Sequence, residues 1–344
     1  MNLFIKKTLT FCLFLLVLIS LRFWILPYYY GNDIYASKIA YFEKTKTPFN
    51  TVLFGSSRLY RQLNPRIIDS ITTDYNIKTF NFASPATFYP ESTYLYENFI
   101  EENDSKKIKY AIIELQHLEL FKNNAKTIKG NYWNTTSNMS HCISLINDSH
   151  YSKKKKNRLK KTILLSFIYR VLDFTSIKDF FKTKNTFNNN NNNGYYSLQQ
   201  EVADKTSNLE SILEYYKKFN LDISNYKKLV QTAKLRDNLD VSKLTVNNSH
   251  LKHLIQIIKL SKEKGIDVIY VLPPKLNLEY YKALLPIVNL LPKNNIIDLS
   301  SYKDHTNLYG KDASFDFYHL NNKGSRLFSI VVGEKLLANL NKAK

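Results

Sequence analysis

Thr51-Val52-Leu53-Phe54-Gly55-Ser56-Ser57-Arg58 decides how this chain is read. An apolar, β-prone run makes a short buried strand, and a glycine with two serines ends it where a helix can begin. The same alternation recurs downstream. Lys78–Phe82, Tyr110–Leu115, Asp267–Leu272 and Ile296–Leu299 are strand-like, while Glu91–Glu101, His250–Lys264 and Glu279–Leu290 carry apolar residues at the three- and four-residue spacing of helices packed on a sheet. Strand, helix, strand order with near-continuous apolar strands predicts an α/β chain, a doubly wound three-layer sandwich about a central parallel sheet.

Composition supports a sizeable core. Of 344 residues, 44% are hydrophobic and 14% aromatic, too much apolar material for global disorder. The formal net charge of +20 attracts polyanions. The basic residues are spread along the chain, however, without zinc-finger spacing, RNP aromatics or a basic zipper, so nucleic acid is not the expected partner. Cys12 and Cys142 are the only cysteines. Cys12 lies in an apolar run, which leaves neither a disulfide nor a cysteine metal site, and no nucleophile motif surrounds Cys142. His141, His150, His250, His253 and His305 show no metal-ligand spacing. No metal and no cofactor is expected.

Thr8–Leu26 is a 19-residue run broken by one charge, Arg22, and reads as a transmembrane helix within an anchor spanning 1–30. Arg22 lies near its end, where a long side chain can snorkel, and Trp24 with Tyr28–Tyr30 supplies a boundary belt. Lys6 and Lys7 precede the run, placing the N-terminus in the cytoplasm and the remainder outside the membrane as a single-pass, extracytoplasmic domain. A cleaved signal peptide fits less well, because the run exceeds the usual h-region and no small-x-small site follows.

Two stretches, 48–120 and 246–344, carry the α/β pattern. Between them, 121–245 breaks it and reads as a largely helical insertion. There the basic cluster Lys153–Lys156, Arg158, Lys160 and Lys161 precedes an apolar helix and reads as a solvated face. Asn188–Asn193 reads as a flexible loop tip.

Gly55–Arg58 stands directly beyond a strand, where open α/β sheets place their ligands. A serine there can present its hydroxyl to a crevice while its own N–H faces a developing oxyanion. Its base is expected in Asp316-Phe317-Tyr318-His319, whose spacing lets the carboxylate orient the imidazole and the imidazole take a serine proton. Ser56 and Ser57 are both candidate nucleophiles.

A Gly-x-Ser turn after the first strand, with Asp-x-x-His before the last helix (Ser325–Leu340), resembles blocks I and V of the SGNH, or GDSL-type, hydrolases. Leu260–Pro274 is similar to the penultimate helix and strand of membrane-anchored members, among them the D-alanine transfer protein of teichoic-acid modification and exopolysaccharide O-acetyltransferases. The resemblance covers about residues 50–120 and 246–340. It implies a flavodoxin-like SGNH sandwich with Ser57 as nucleophile, Asp316 as orienting acid and His319 as base. Block II glycine and block III asparagine lack clear counterparts, and the resemblance places oxyanion donors at the Ala83 or Ser84 N–H and the Gln116 amide. Arg58 is a candidate for an anionic substrate group. The implied activity is serine acyltransfer or ester hydrolysis on a cell-envelope glycan or polymer, with a membrane-bound O-acyltransferase as partner. The alternative is a catalytically silent scaffold that binds envelope glycan.

Overall fold

The computed structural model describes residues 3–102, 107–173, 192–206 and 209–342. One sheet of parallel strands contains β1 (Thr51–Phe54), β2 (Thr79–Asn81), β3 (Tyr110–Glu114), β4 (Asp267–Leu272) and β5 (Ile296–Asp298), ordered β2-β1-β3-β4-β5. Leu53 is in register with Asn81 on one side and Ile112 on the other, and Val271 lies opposite Ile297. Every residue of β1 and β2 is buried. Successive side chains point to opposite faces, so both faces of these strands are covered, as in parallel sheets wrapped by helices.

The described helices are α1 (Leu3–Ile25), α2 (Asp33–Lys44), α3 (Ser57–Gln62), α4 (Pro65–Ile71), α5 (Glu91–Glu102), α6 (Ile128–Asn131), α7 (Thr136–Asp148), α8 (Lys153–Leu172), α9 (Leu198–Ala203), α10 (Leu209–Leu221), α11 (Ile223–Asp237), α12 (Asn248–Glu263), α13 (Leu278–Val288) and α14 (Asn322–Lys342). All five expected strands and the four expected helices form, their ends within about three residues of the expected ones. The strand order is that of doubly wound sheets whose direction of winding reverses between β1 and β3, which puts the carboxyl ends of those two strands at the ligand-binding crevice.

The chain forms two compact units. One comprises Met1–Ala40, Leu120–Asn147 and Tyr151–Asn188, and the other comprises Tyr41–Glu119, Asp148–His150 and Asn189–Lys344. The stretch read as a single insertion is thus divided between them. In the first unit, Tyr28 and Tyr35 share a 2.9 Å hydroxyl bond, Arg170 Nε donates to Tyr132 O at 2.8 Å, and Asn134 Nδ2 donates to Ile163 O at 2.9 Å. The basic cluster opens α8 itself: Ser152 accepts from Lys155 N–H as N-cap, and Lys153–Lys155, Arg158 and Lys161 are exposed. A run of lysines continues a helix readily when its charges reach water.

Leu3, Phe4, Leu9, Phe11, Leu13, Phe14, Val17, Leu21 and Ile25 of α1 are exposed. Among the described residues no helix is long and apolar enough to cross a membrane. The side chains of residues 16, 18, 20 and 22–24, in the middle and last turns of the apolar run, lie outside the described set.

In the second unit the asparagine run has a structural end. Residues 188–191 lie outside the described residues, but Asn193 O accepts from Asn81 N–H at 2.8 Å, and Gly194, at φ +87°, lets the chain pass against Asn81 O, where a Cβ would sit 2.2 Å away. This closes the outer edge of β2. Beneath it, the ring of Phe82 packs on those of Phe80 (4.7 Å between centroids), Phe99 (4.9 Å), Phe42 (5.1 Å) and Phe54 (5.4 Å). Phe82 is 1% exposed. Phe82→Ala is expected to cost ~3–5 kcal/mol, measured as a lowered urea midpoint with an unchanged m-value.

Candidate active site

The site begins where β1 ends. Gly55 is required because Glu114 reaches in from the end of β3: a Cβ at Gly55 would lie 2.7 Å from Glu114 Oε2 and 2.8 Å from Leu59 Cδ1. Glu114 is buried and receives Ser56 N–H at 2.6 Å and the Ser56 hydroxyl at 2.7 Å. Ser56 Oγ in turn accepts from Arg58 N–H at 3.2 Å as the N-cap of α3. Ser56, 1% exposed, is therefore committed to the turn. Burial raises the Glu114 pKa, opposed by Arg58 and the Ser56 bonds.

Ser57, the first residue of α3, meets the imidazole. Ser57 Oγ lies 3.0 Å from His319 Nε2, across a separation of 262 residues. His319 Nδ1 lies 2.9 Å from Asp316 Oδ2 and 3.1 Å from Oδ1. Asp316 Oδ1 also accepts the N–H groups of Tyr318 (2.7 Å) and His319 (2.8 Å). The three-residue spacing thus folds the carboxylate back over its own loop, so that the loop backbone and the imidazole are oriented by one group. With Asp316 ionised, Nδ1 carries the proton and Nε2 is left to accept one from Ser57.

Electrostatics keep the pair in that state. Burial alone would raise the Asp316 carboxyl, but His319, Lys275 and the Tyr318 N–H override it and hold the group well below the usual carboxylate range. Burial lowers the imidazole pKa, Asp316 opposes this, and Arg61 and Arg58 add to the lowering. A neutral imidazole beside an ionised carboxylate is the arrangement of a general base.

Two ties fix the halves of the site to each other. The Ser325 hydroxyl, near the start of α14, donates to Gln62 O at the end of α3 (2.8 Å), and Asn64 N–H donates to Ser329 Oγ (2.8 Å). Arg61 on α3 makes a two-point ion pair with Glu201 on α9, at 2.6 and 2.9 Å, a geometry well suited to setting orientation. Helix α9 and helix α10 come from the stretch read as insertion, so part of that stretch braces the site.

The expected oxyanion donors are placed otherwise. Ala83 N–H donates to Asn81 Oδ1 (2.9 Å) and Ser84 N–H to Gly55 O (3.0 Å). Gln116 Nε2 donates to Thr87 O (3.0 Å), and its Oε1 accepts from Ser92 (2.6 Å). These groups hold the β2 and β3 loops in place, and the strand-end pattern that suggested them does not reveal their partners. Ser57 N–H, at a helix start, has no acceptor within its own helix. Arg58 lies beside the site with Nη1 3.7 Å from Glu114 Oε1 and a buried Nε that has no hydrogen-bond partner among the described residues. Nothing in the sequence singles out Glu114, because Ser56, which it binds, lies 58 residues away. Cys142 is buried, and burial pushes its thiol pKa up. Among the described residues no group of three His, Cys, Asp or Glu is placed to hold a metal.

These shifts fix a sign. As pH falls through the ordinary imidazole value of about 6.5, the unfolded chain takes up a proton before folded His319 does. The stability that the neutral imidazole contributes is full above that pH and is lost towards the folded midpoint. The His319 ring is expected to titrate below about 6.5 by imidazole nitrogen NMR, and lower still in Asp316→Asn, where the opposing carboxylate charge is gone.

No family model matches this chain, and no curated protein matches it in sequence.

Proposed function

We propose that this protein is an SGNH-type serine acyltransferase or esterase acting through Ser57, His319 and Asp316. The observation that carries the reading is the continuous hydrogen-bonded line from Ser57 Oγ through His319 to Asp316, at 3.0 and 2.9 Å. Ser57 Oγ attacks the acyl carbonyl while His319 Nε2 takes its proton. The same proton passes to the leaving oxygen or sulfur as the tetrahedral species collapses to an acyl-Ser57 ester. An acceptor hydroxyl, or water, then gives its proton to His319 and attacks that ester, and Ser57 recovers its hydrogen. Asp316 stays ionised throughout and stabilises the imidazolium.

The apolar run at Thr8–Leu26 supports an extracytoplasmic, membrane-anchored enzyme, for which a cell-envelope glycan or polymer is the acceptor and a membrane-bound O-acyltransferase the acyl-supplying partner. A second reading, a catalytically silent glycan-binding scaffold, draws support from the engagement of Ala83, Ser84 and Gln116 elsewhere.

Covalent labelling with a fluorophosphonate separates the two. Wild type is expected to label at Ser57, Ser57→Ala not at all, and Ser56→Ala still to label at Ser57. Loss of the base in His319→Ala is expected to slow labelling by about 10³-fold or more. Folded wild type that does not label would favour the scaffold.

A further inference from the structure

Lys275 is a buried lysine just beyond β4, in the Pro273-Pro274-Lys275 turn, with a left-handed φ of 64°. A lysine in that backbone region, out of water, is costly on two counts. Its ammonium is nonetheless well placed. Nζ donates to Asp316 O at 2.6 Å and to His319 O at 2.8 Å, the carbonyls at either end of the Asp316–His319 loop. It also lies over the Phe219 ring of α10, 5.5 Å from the centroid.

The same helix grips the loop beside it. Phe219 packs edge-on against Phe317 at 5.1 Å, Tyr216 packs against Phe315 at 5.0 Å, and Asn220 Nδ2 donates to Phe315 O at 3.2 Å. Lys275 and α10 thus hold the loop from two sides. The His319 carbonyl also accepts Phe315 N–H at 3.0 Å, so it is the point where the turn closes on itself.

Resting on the serine-hydrolase reading, we propose that Lys275 is the positioning residue of the acid–base loop. By joining the carbonyls of Asp316 and His319, it sets the distance and angle at which the carboxylate meets Nδ1. Lys275 touches neither Ser57 nor any reacting atom, and its effect on chemistry passes through Asp316. Burial brings its pKa down to about 7, with Asp316 opposing and Arg58 adding. Either protonation state supplies the two N–H donors that the carbonyls need. Asp316 and Arg58 act on Lys275, and Asp316, Arg61 and Arg58 act on His319; Arg58 lies near Glu114 and Arg61 is paired with Glu201.

The test is a double-mutant cycle on the full chain in detergent, reading the fluorophosphonate labelling rate of Ser57. Lys275→Met is expected to slow labelling by about 10- to 100-fold, the scale of a misplaced catalytic group. In an Asp316→Asn background, where there is no carboxylate to aim, the same change is expected to cost less than about 3-fold. Equal losses in both backgrounds would make Lys275 a structural residue only and overturn the proposal, as would wild-type labelling in Lys275→Met. Lys275→Gln, whose amide offers two donors, is expected to retain more of the rate than Lys275→Met, and it replaces the methionine in the cycle if that variant does not fold. The His319 Nδ1–H proton resonance gives a readout independent of activity: it is expected in wild type and Lys275→Gln and lost in Lys275→Met. Absence of labelling in folded wild type, with that resonance still dependent on Lys275, would refute the hydrolase reading and leave the positioning role standing. A resonance unchanged in Lys275→Met would refute the positioning role.

Discussion

Keeping the Asp316 carboxylate ionised where water scarcely reaches is the constraint on which the site depends. A buried charge is tolerated only when its lone pairs are filled by well-placed donors. Asp316 meets that condition with Tyr318 N–H, His319 N–H and the imidazole. Because all three donors belong to the loop that carries the carboxylate, charge and loop geometry are a single problem. Moving the loop would strand the charge, and neutralising the charge would release the loop. The neighbouring elements restrain it on both sides, with Lys275 and α10 holding its backbone and Ser325 tying the helix that follows to α3, which carries Ser57.

The strands and their helices were legible in the sequence because each is a local pattern. Thr51–Phe54 and Asp267–Leu272 are apolar runs of strand length, and their structural limits coincide with those of the pattern. Asp316 and His319 were legible for the same reason, since three residues suffice to express their relation. Glu114, Glu201 and Lys275 were not. Their partners stand 58, 140 and 41 to 44 residues away in sequence and are brought close by the tertiary fold. Periodicity carries no information about such meetings. A glutamate ending an apolar strand reads alike whether it faces water or locks a serine turn.

The segment between the two sheet-forming stretches was harder still. Read along the chain, 121–245 looks like one interruption, yet its first part joins the N-terminal residues in a unit of its own and its last part belongs with the sheet. Helices α9 and α10 belong to the sheet unit and meet the site directly. Glu201 pairs with Arg61, and Tyr216, Phe219 and Asn220 meet the loop that bears Asp316. A bidentate ion pair with side chains only 11% and 5% exposed has lost most of its solvation. Its value lies in fixing where α3 points more than in net stability.

The placement of Ala83, Ser84 and Gln116 bears on which acyl donor would suit the enzyme proposed above. Each preorganised oxyanion donor is worth roughly 10²- to 10³-fold in rate, and here groups that could have served hold neighbouring loops instead. Under the proposed mechanism, Ser57 N–H is the donor that helix geometry leaves open among the described residues, and orientation of the base through Asp316 would carry more of the work than stabilisation of the tetrahedral species. Such a balance suits an acyl donor that is already reactive, such as a thioester or an activated ester, for which less oxyanion stabilisation is needed and correct placement of nucleophile and acceptor decides the rate. For the enzyme proposed above, this balance favours an activated acyl donor over a stable ester.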